Sequence, residues 1–265
     1  MCCWWFPAVP VGPIDAAAGE LKNLRIPDLH QFAVILAAAG KSERFGDAYY
    51  KKVFAPLSGR PLWMYAAEAF SKRDDVGQIL LVIAQEDREF FADKFAGNAA
   101  MLGIQVVIGG AHRADSVLAG LNQVREELPF VAIHDAARPC LATPWIDAVF
   151  HAAKQSGAAI LATPCHATLK RADKDGKILE TVPRTGIWLA QTPQVFRTQL
   201  LKDAYTRHPR PSTATDDAAI VEHAGHAVKI VPGSPLNLKV TTKEDMKLAE
   251  LSIKALPRGN PFPFG

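Results

Sequence analysis

The chain has 265 residues, 49% of them hydrophobic and 22% charged, with a formal net charge of +3. These proportions suit a globular protein with a sizeable core and exclude a disordered or collagen-like chain. So small a net charge makes no case for nucleic acid as a partner, while small anions need only local positive charge. The four cysteines, Cys2, Cys3, Cys140 and Cys165, form neither a CxxC pair nor a Cys/His cluster with ligand spacing. We therefore expect no disulfide framework and no structural zinc, and a reducing, cytoplasmic compartment.

Residues 1–31 open with MCCWWFPAVPVGP, which is apolar but short, interrupted by proline and without a basic flank. That predicts an irregular extension, not a membrane span or a signal peptide. FAVILAAAG (32–40) is a continuous apolar run closed by glycine, the pattern of a buried parallel strand. PLWMYAAEAFSKRDDV (61–76) has helical spacing. GQILLVIA (Gly77–Ala84), IQVVIGG (Ile104–Gly110) and FVAIHD (Phe130–Asp135) read as further buried strands. Between the last two, RADSVLAGLNQV (113–124) reads as a helix with Asp115 or Ser116 at its start.

This alternation predicts an α/β fold, a doubly wound and mostly parallel sheet covered on both faces. Ligands in such folds bind at the carboxyl ends of the strands, where the Gly40 loop, the Gly109-Gly110 pair and Asp135 all fall. Further on, extended runs flank Asp175-Gly176, a hairpin signal. They predict an arm over about 164–190 that leaves the main sheet and packs on a second subunit. TDDAAIVEHAG is expected to be a helix with Thr215 as N-cap and Gly225 as stop. AVKIVPG is a strand, and TTKEDMKLAELSI a helix opened by Thr241 and Glu244 at capping-box spacing. One domain over 32–255 and an irregular tail over 256–265 complete the expected organisation.

AAAGKSERFGDAYYKK (37–52) contains Gly40-Lys41-Ser42, the close of a P-loop. The earlier glycine of a P-loop would fall at Ile35, inside the strand, so that reading fails. A GxGxxG fingerprint fails as well, because Gly40 and Gly46 stand alone. A different mechanism remains. Small residues from Ala37 to Gly40 let backbone approach a ligand, and Gly40 at positive φ would turn successive N–H groups inward as an anion nest. Lys41, Arg44, Lys51 and Lys52 would supply charge for a polyphosphate. On this stretch alone, a solvated basic loop after a glycine turn stays open.

LAAAGKSERFG, KKVF, RADSVLAGL, HDAARPCL, TPQVF, TDDA and NLKVTTKEDMKLAE occur in that order. Over residues 32–253 the chain resembles the 2-C-methyl-D-erythritol 4-phosphate cytidylyltransferase family, nucleotidyltransferases of the non-mevalonate isoprenoid pathway with a Rossmann-like fold. The resemblance implies transfer of CMP from CTP to that sugar phosphate, with release of pyrophosphate. It places Ala38, Ala39 and Gly40 against the nucleotide and Arg44 and Lys52 on the CTP phosphates, with Lys51 next door also eligible. It places Gly109, Gly110 and Ser116 at the cytosine, although Ser116 could equally be a helix cap. Asp135 is implied at the ribose or in the Mg2+ shell, with Ala136 and Ala137 close by, and His134 is packed at the strand end.

Arg138 is implied either on a substrate phosphate or as a loop pin. Thr168 and Arg184 on the arm would reach the sugar phosphate across a homodimer, and Thr192 and Lys239 would bind it from the main subunit. Relatives often carry Asp where this chain has Ala111, and near Leu236, so one base or ribose contact and one sugar contact lose their usual side chains. Mg2+ or another divalent cation is the implied cofactor. Two other readings stand at this point: a cytidylyltransferase for another polyol phosphate such as ribitol 5-phosphate, and a nucleotide-binding regulator without catalysis. AAAG and ARPC lean toward methylerythritol phosphate, and Arg44, Lys52, Asp135 and Lys239 argue against the regulator.

Overall fold

The computed structural model describes residues 30–42, 45–46 and 51–257. The predicted extension and tail fall almost wholly outside the described residues, as does Arg44. In chain order the elements begin with β1 (Phe32–Ala37), a short hairpin of β2 (Pro56–Leu57) and β3 (Arg60–Pro61), α1 (Leu62–Ser71) and β4 (Val76–Ile83). Then follow α2 (Arg88–Met101), β5 (Ile104–Ile108), α3 (Arg113–Leu121), β6 (Phe130–Asp135), α4 (Thr143–Ser156) and β7 (Ala158–Pro164). The rest is β8 (Leu169–Ala172), β9 (Ile178–Val182), β10 (Trp188–Arg197), α5 (Thr198–Arg207), α6 (Asp217–His223), β11 (Lys229–Pro232) and α7 (Lys243–Lys254).

Seven strands form one sheet in the order β11-β7-β10-β6-β1-β4-β5. β10 runs antiparallel to both its neighbours and every other pairing is parallel. The continuous apolar run of β1 is explained by its central place. Phe32, Val34 and Leu36 face a layer with Trp63 and Phe70 of α1 and Phe150 of α4. Ala33 and Ile35 face the opposite layer, against Val117 and Leu121 of α3 and Leu201 of α5. Successive side chains of a strand point to opposite faces, so a strand covered on both must be apolar throughout.

The doubly wound α/β fold read from the sequence is the fold observed. β4 and β5 lie on one side of β1 and β6 on the other, so the strand order reverses there and a crevice opens at the carboxyl ends of β1 and β6. Ala37 and Asp135 are register partners at its floor. The expected hairpin is β8–β9, with Gly176 at φ +82° in its turn, a conformation open to glycine and costly for other residues. β7 and β10, which flank the expected arm, pair with each other in the main sheet, and the stretch between them carries the hairpin.

Three helix starts shift from their expected residues. Asp216, not Thr215, caps α6, its carboxylate accepting the Ala219 N–H at 3.0 Å. Thr242, not Thr241, caps α7, with Asp245 as its reciprocal partner. His112, not Asp115 or Ser116, is the N-cap of α3, and Asp115 accepts the His112 N–H from the first turn. At α6 and α7 neighbouring Ser, Thr and Asp residues offer several chemically similar caps, and helix ends read from sequence shift by a residue or two for that reason. Among the described residues no helix is long and apolar enough to cross a membrane.

Candidate active site at the strand ends

Two cavities open at the crevice. The larger, about 600 Å³, lies between the loop after β1 and the start of α3. Ala39, Gly40 and Lys52 line it, whereas Ala38 packs in the core and donates its N–H to the Val82 carbonyl at 2.8 Å. Contrary to the expected nest, Gly40 is not at positive φ; among the described residues of this loop Ser42 (60°) and Gly46 (61°) are. Ser42 Oγ accepts the Lys52 N–H at 3.2 Å and donates to the Gly40 carbonyl at 3.3 Å, stitching the two ends of the loop together.

The structure separates the two adjacent lysines. Lys51 Nζ lies 2.8 Å from Glu86 and 2.9 Å from Asp87. Burial alone would lower its pKa, but hydrogen bonds to the two carboxylates outweigh that and raise it. Lys52 instead lines the larger cavity.

The opposite wall is the turn from β5 into α3. Gly110, Ala111 and Ser116 line the cavity, while Gly109 sits behind them with its N–H on the Ile83 carbonyl at 2.8 Å. A Cβ on Gly109 would fall 2.6 Å from Ser116 Oγ, and one on Gly110 2.5 Å from Asp115 Cβ. The glycine pair is thus demanded by how closely the helix start folds back on the strand end. Ser116 Oγ accepts the Gly110 N–H at 3.2 Å and lies 3.1 Å from the His112 carbonyl, so its hydroxyl holds the turn in shape.

Asp135 closes β6 and is the electrostatic centre. Its side chain is 9% exposed, with Lys239 Nζ at 2.8 Å, Arg113 Nε at 3.5 Å and Arg138 Nε at 3.7 Å. Burial by itself would raise its pKa; the Lys239, Arg113 and Arg138 charges more than reverse this and hold it far below the usual carboxylate range. Ala136 is fully buried, with its N–H on the Ala37 carbonyl, and Ala137 is the neighbour that faces the cavity.

The smaller cavity, about 260 Å³, is lined by Arg138 and Thr192, with Gln191, Thr215 and Asp216 around them. Thr192 Oγ1 accepts the Asp135 N–H at 3.1 Å and lies 2.9 Å from His134 Nδ1. The other ring nitrogen of His134 is 3.1 Å from the Arg138 carbonyl. His134 is wholly buried and serves packing, as expected; burial depresses its pKa to about 4. Arg138 donates to the Asn237 carbonyl at 2.7 Å and so pins the loop that carries Lys239.

Arg113, Asp135 and Lys239 line both cavities. Arg113 is the member of this trio that sequence reasoning passed over. Its signal lay in RADSVLAGL, an arginine opening a helix directly after a glycine pair at a strand end.

A family model described as 2-C-methyl-D-erythritol 4-phosphate cytidylyltransferase matches residues 32–255. The chain belongs to the 2-C-methyl-D-erythritol 4-phosphate cytidylyltransferase family. A cytidylyltransferase of that name from Rhodopirellula baltica is 44% identical over 82% of this chain and 93% of its own. The chloroplastic cytidylyltransferase of Oryza sativa is 33% identical over 93% of this chain and 80% of its own. The crystal structure of the Thermus thermophilus cytidylyltransferase superposes with a TM-score of 0.70 at 32% identity, covering 83% of this chain and 98% of that one. That of Francisella tularensis gives 0.71 at 29% identity, over 84% and 99%.

Two features that the family resemblance implied stand apart from the cytidylyltransferase crevice. Thr168 and Arg184 lie on the exposed arm and line neither cavity; the Arg184 guanidinium donates to the His166 carbonyl. Among the described residues no group of three or more His, Cys, Asp or Glu could hold a metal ion. Among the described residues Asp135 is the one carboxylate lining the larger cavity, and a single carboxylate completed by phosphate oxygens and water is a donor set Mg2+ accepts.

Proposed function

We infer that this nucleotidyltransferase transfers CMP from CTP to 2-C-methyl-D-erythritol 4-phosphate, releasing pyrophosphate, in non-mevalonate isoprenoid precursor synthesis. The observation that carries the reading in this chain is the pair of cavities sharing Arg113, Asp135 and Lys239. The larger takes CTP and the smaller the sugar phosphate, so the reacting groups meet at the shared wall. An oxygen of the sugar phosphate attacks the α-phosphorus, and the bond to the bridging oxygen of the pyrophosphate breaks. The attacking phosphate is already largely dianionic at neutral pH, since its second pKa is ~6. No side chain has to remove a proton, and the work is to bring two anions together and stabilise the charge that develops.

Lys52 from the β1 side and Lys239 from the wall shared by the two cavities supply that charge, with Arg44 of the loop after β1 as a third cation. Asp135 stays ionised at neutral pH, so it orients Lys239 and Arg113 and does not shuttle protons. Ala39, Gly40 and Gly110 bring backbone close to the nucleotide, with Ser116 holding the turn. Asp135 together with the CTP phosphates would hold Mg2+ or another divalent cation, which supplies further charge neutralisation when bound. Arg138 and Thr192 face the sugar-phosphate side. The chain acts as a homodimer in which the arm brings Thr168 and Arg184 to the sugar phosphate of the other subunit. Buried free Cys140 and Cys165 suit a reducing, cytoplasmic setting.

The test is a pyrophosphate-release assay with Mg2+, each nucleotide against each sugar phosphate. Release with CTP and methylerythritol phosphate alone is expected. Preference for ribitol 5-phosphate would replace the acceptor, and nucleotide binding without turnover of any sugar phosphate would make the chain a regulator.

A further inference from the structure

TDDA contains two consecutive aspartates with different tasks. Asp216 caps α6 and lines the smaller cavity. Asp217 turns inward, is wholly buried, and lines neither cavity. Its Oδ1 accepts the Tyr205 hydroxyl of α5 at 2.7 Å, and its Oδ2 is 2.9 Å from the Arg113 guanidinium. The backbone N–H groups of Asp217 and Ala218 both donate to Gln194 Oε1 of β10, at 3.1 and 3.0 Å, which fixes the helix start against the sheet. A carboxylate this deep is tolerated only when paired and hydrogen-bonded. Arg113 is therefore held at its back by Asp217 while its Nε faces Asp135, 3.5 Å away.

We propose that Asp217 is a positioning residue that fixes the Arg113 guanidinium in the wall shared by the two cavities, aimed at the phosphates that meet there. The inference rests on the function proposed above. An arginine fork confers geometry only when its plane is held, and a carboxylate behind it does that. Once Asp217 loses its charge, Asp135 becomes the remaining anion facing Arg113. The guanidinium then swings onto Asp135 and competes with Lys239 for it. The loss reaches both cations of the shared wall although Asp217 touches neither ligand.

A double-mutant cycle on the full chain tests this. Asp217→Asn, Arg113→Ala and the double variant are compared in kcat/KM for the sugar phosphate and in CTP Kd by calorimetry, with circular dichroism checking the fold. Asp217→Asn is expected to lower kcat/KM on the order of 10- to 100-fold, as for a lost hydrogen bond to a charged group. In the Arg113→Ala background the same change should alter it by less than about two-fold, because coupled residues are non-additive. Asp217→Glu, which keeps the charge, should recover part of the loss. Wild-type kcat/KM in Asp217→Asn, or an equal loss in both backgrounds, overturns the proposal and leaves Asp217 a structural residue. If Asp217→Asn does not fold, Asp217→Ser, which also removes the charge, takes its place in the same cycle under the same criteria. Wild-type turnover beside an unaffected Asp217→Asn sinks this inference alone. A wild type that binds CTP without turnover moves the cycle to CTP Kd, and one that does neither sinks both readings.

Discussion

Adjacent residues divide the labour of the crevice. Lys51 is committed to Glu86 and Asp87, and Lys52 faces the larger cavity, although the two are chemically identical in the sequence. Lys52→Ala should therefore lower kcat by orders of magnitude with the fold intact, since losing one such contact costs ~2.7–4 kcal/mol of transition-state stabilisation. Lys51→Ala should mainly lower Tm slightly, and steady-state kinetics on the pair distinguishes them. Reversed effects would exchange their roles. His134 gives a pH signature. Its folded pKa is depressed to about 4 from 6.5, so the unfolded chain binds more protons and stability falls as pH drops through that window. The loss amounts to roughly 3 kcal/mol at one pKa unit per 1.36 kcal/mol. Thermal melts should show it between pH ~6.5 and ~4, and His134→Asn should flatten that part of the profile.

The elements around the site depend on glycine for two separate reasons. At Gly110 the constraint is packing, because a Cβ would stand 2.5 Å from Asp115 Cβ. Gly110→Ala should destabilise by about 1–3 kcal/mol, as overpacking does, and distort the start of α3. At Gly40 a Cβ would meet nothing within 4 Å, and the residue lines the larger cavity. Gly40→Ala should leave Tm unchanged and weaken CTP binding by occupying ligand space. Calorimetry with CTP beside thermal melts separates the two cases, and an unaltered Kd in Gly40→Ala would remove that loop from the nucleotide site. The strands were legible because their apolar runs are continuous. α2 gathers no clear apolar face and so carries no comparable signal, whereas α4, with proline in its first turn, Gly157 as its stop and buried residues at helical spacing, and the amphipathic α5 carry signals that the reading along the chain passed over. The pairing of β7 with β10 leaves no local trace.

At the scale of the whole molecule the arm is the feature one chain leaves unfinished. Ile178 and Leu179 on its hairpin and Leu189 beside it at the start of β10 are more than half exposed, at 58%, 60% and 52%. The proposed homodimer covers them and carries Arg184 to the other subunit's sugar phosphate. Arg184→Ala should weaken sugar-phosphate binding and leave CTP binding nearly unchanged. Dimers mixed from Arg184→Ala and Lys52→Ala subunits should recover one working site, measured as activity above either parent. No recovery in dimers shown to be mixed would place the arm in its own subunit's site.

Lys239 came from the family resemblance, while local pattern and strand ends determined the doubly wound sheet, the crevice at the ends of β1 and β6, and the placing of Gly40 and Asp135 beside it. Those properties depend on periodicity along a strand and on where each strand ends, which neighbouring residues dictate. Tertiary structure alone decided which of two adjacent lysines faces the cavity and which of two adjacent aspartates turns inward. It also decided that Arg113 stands between carboxylates supplied by β6 and α6, far apart in sequence. Side chains of equal chemistry are distinguished by their partners, and those partners arrive only when distant segments pack.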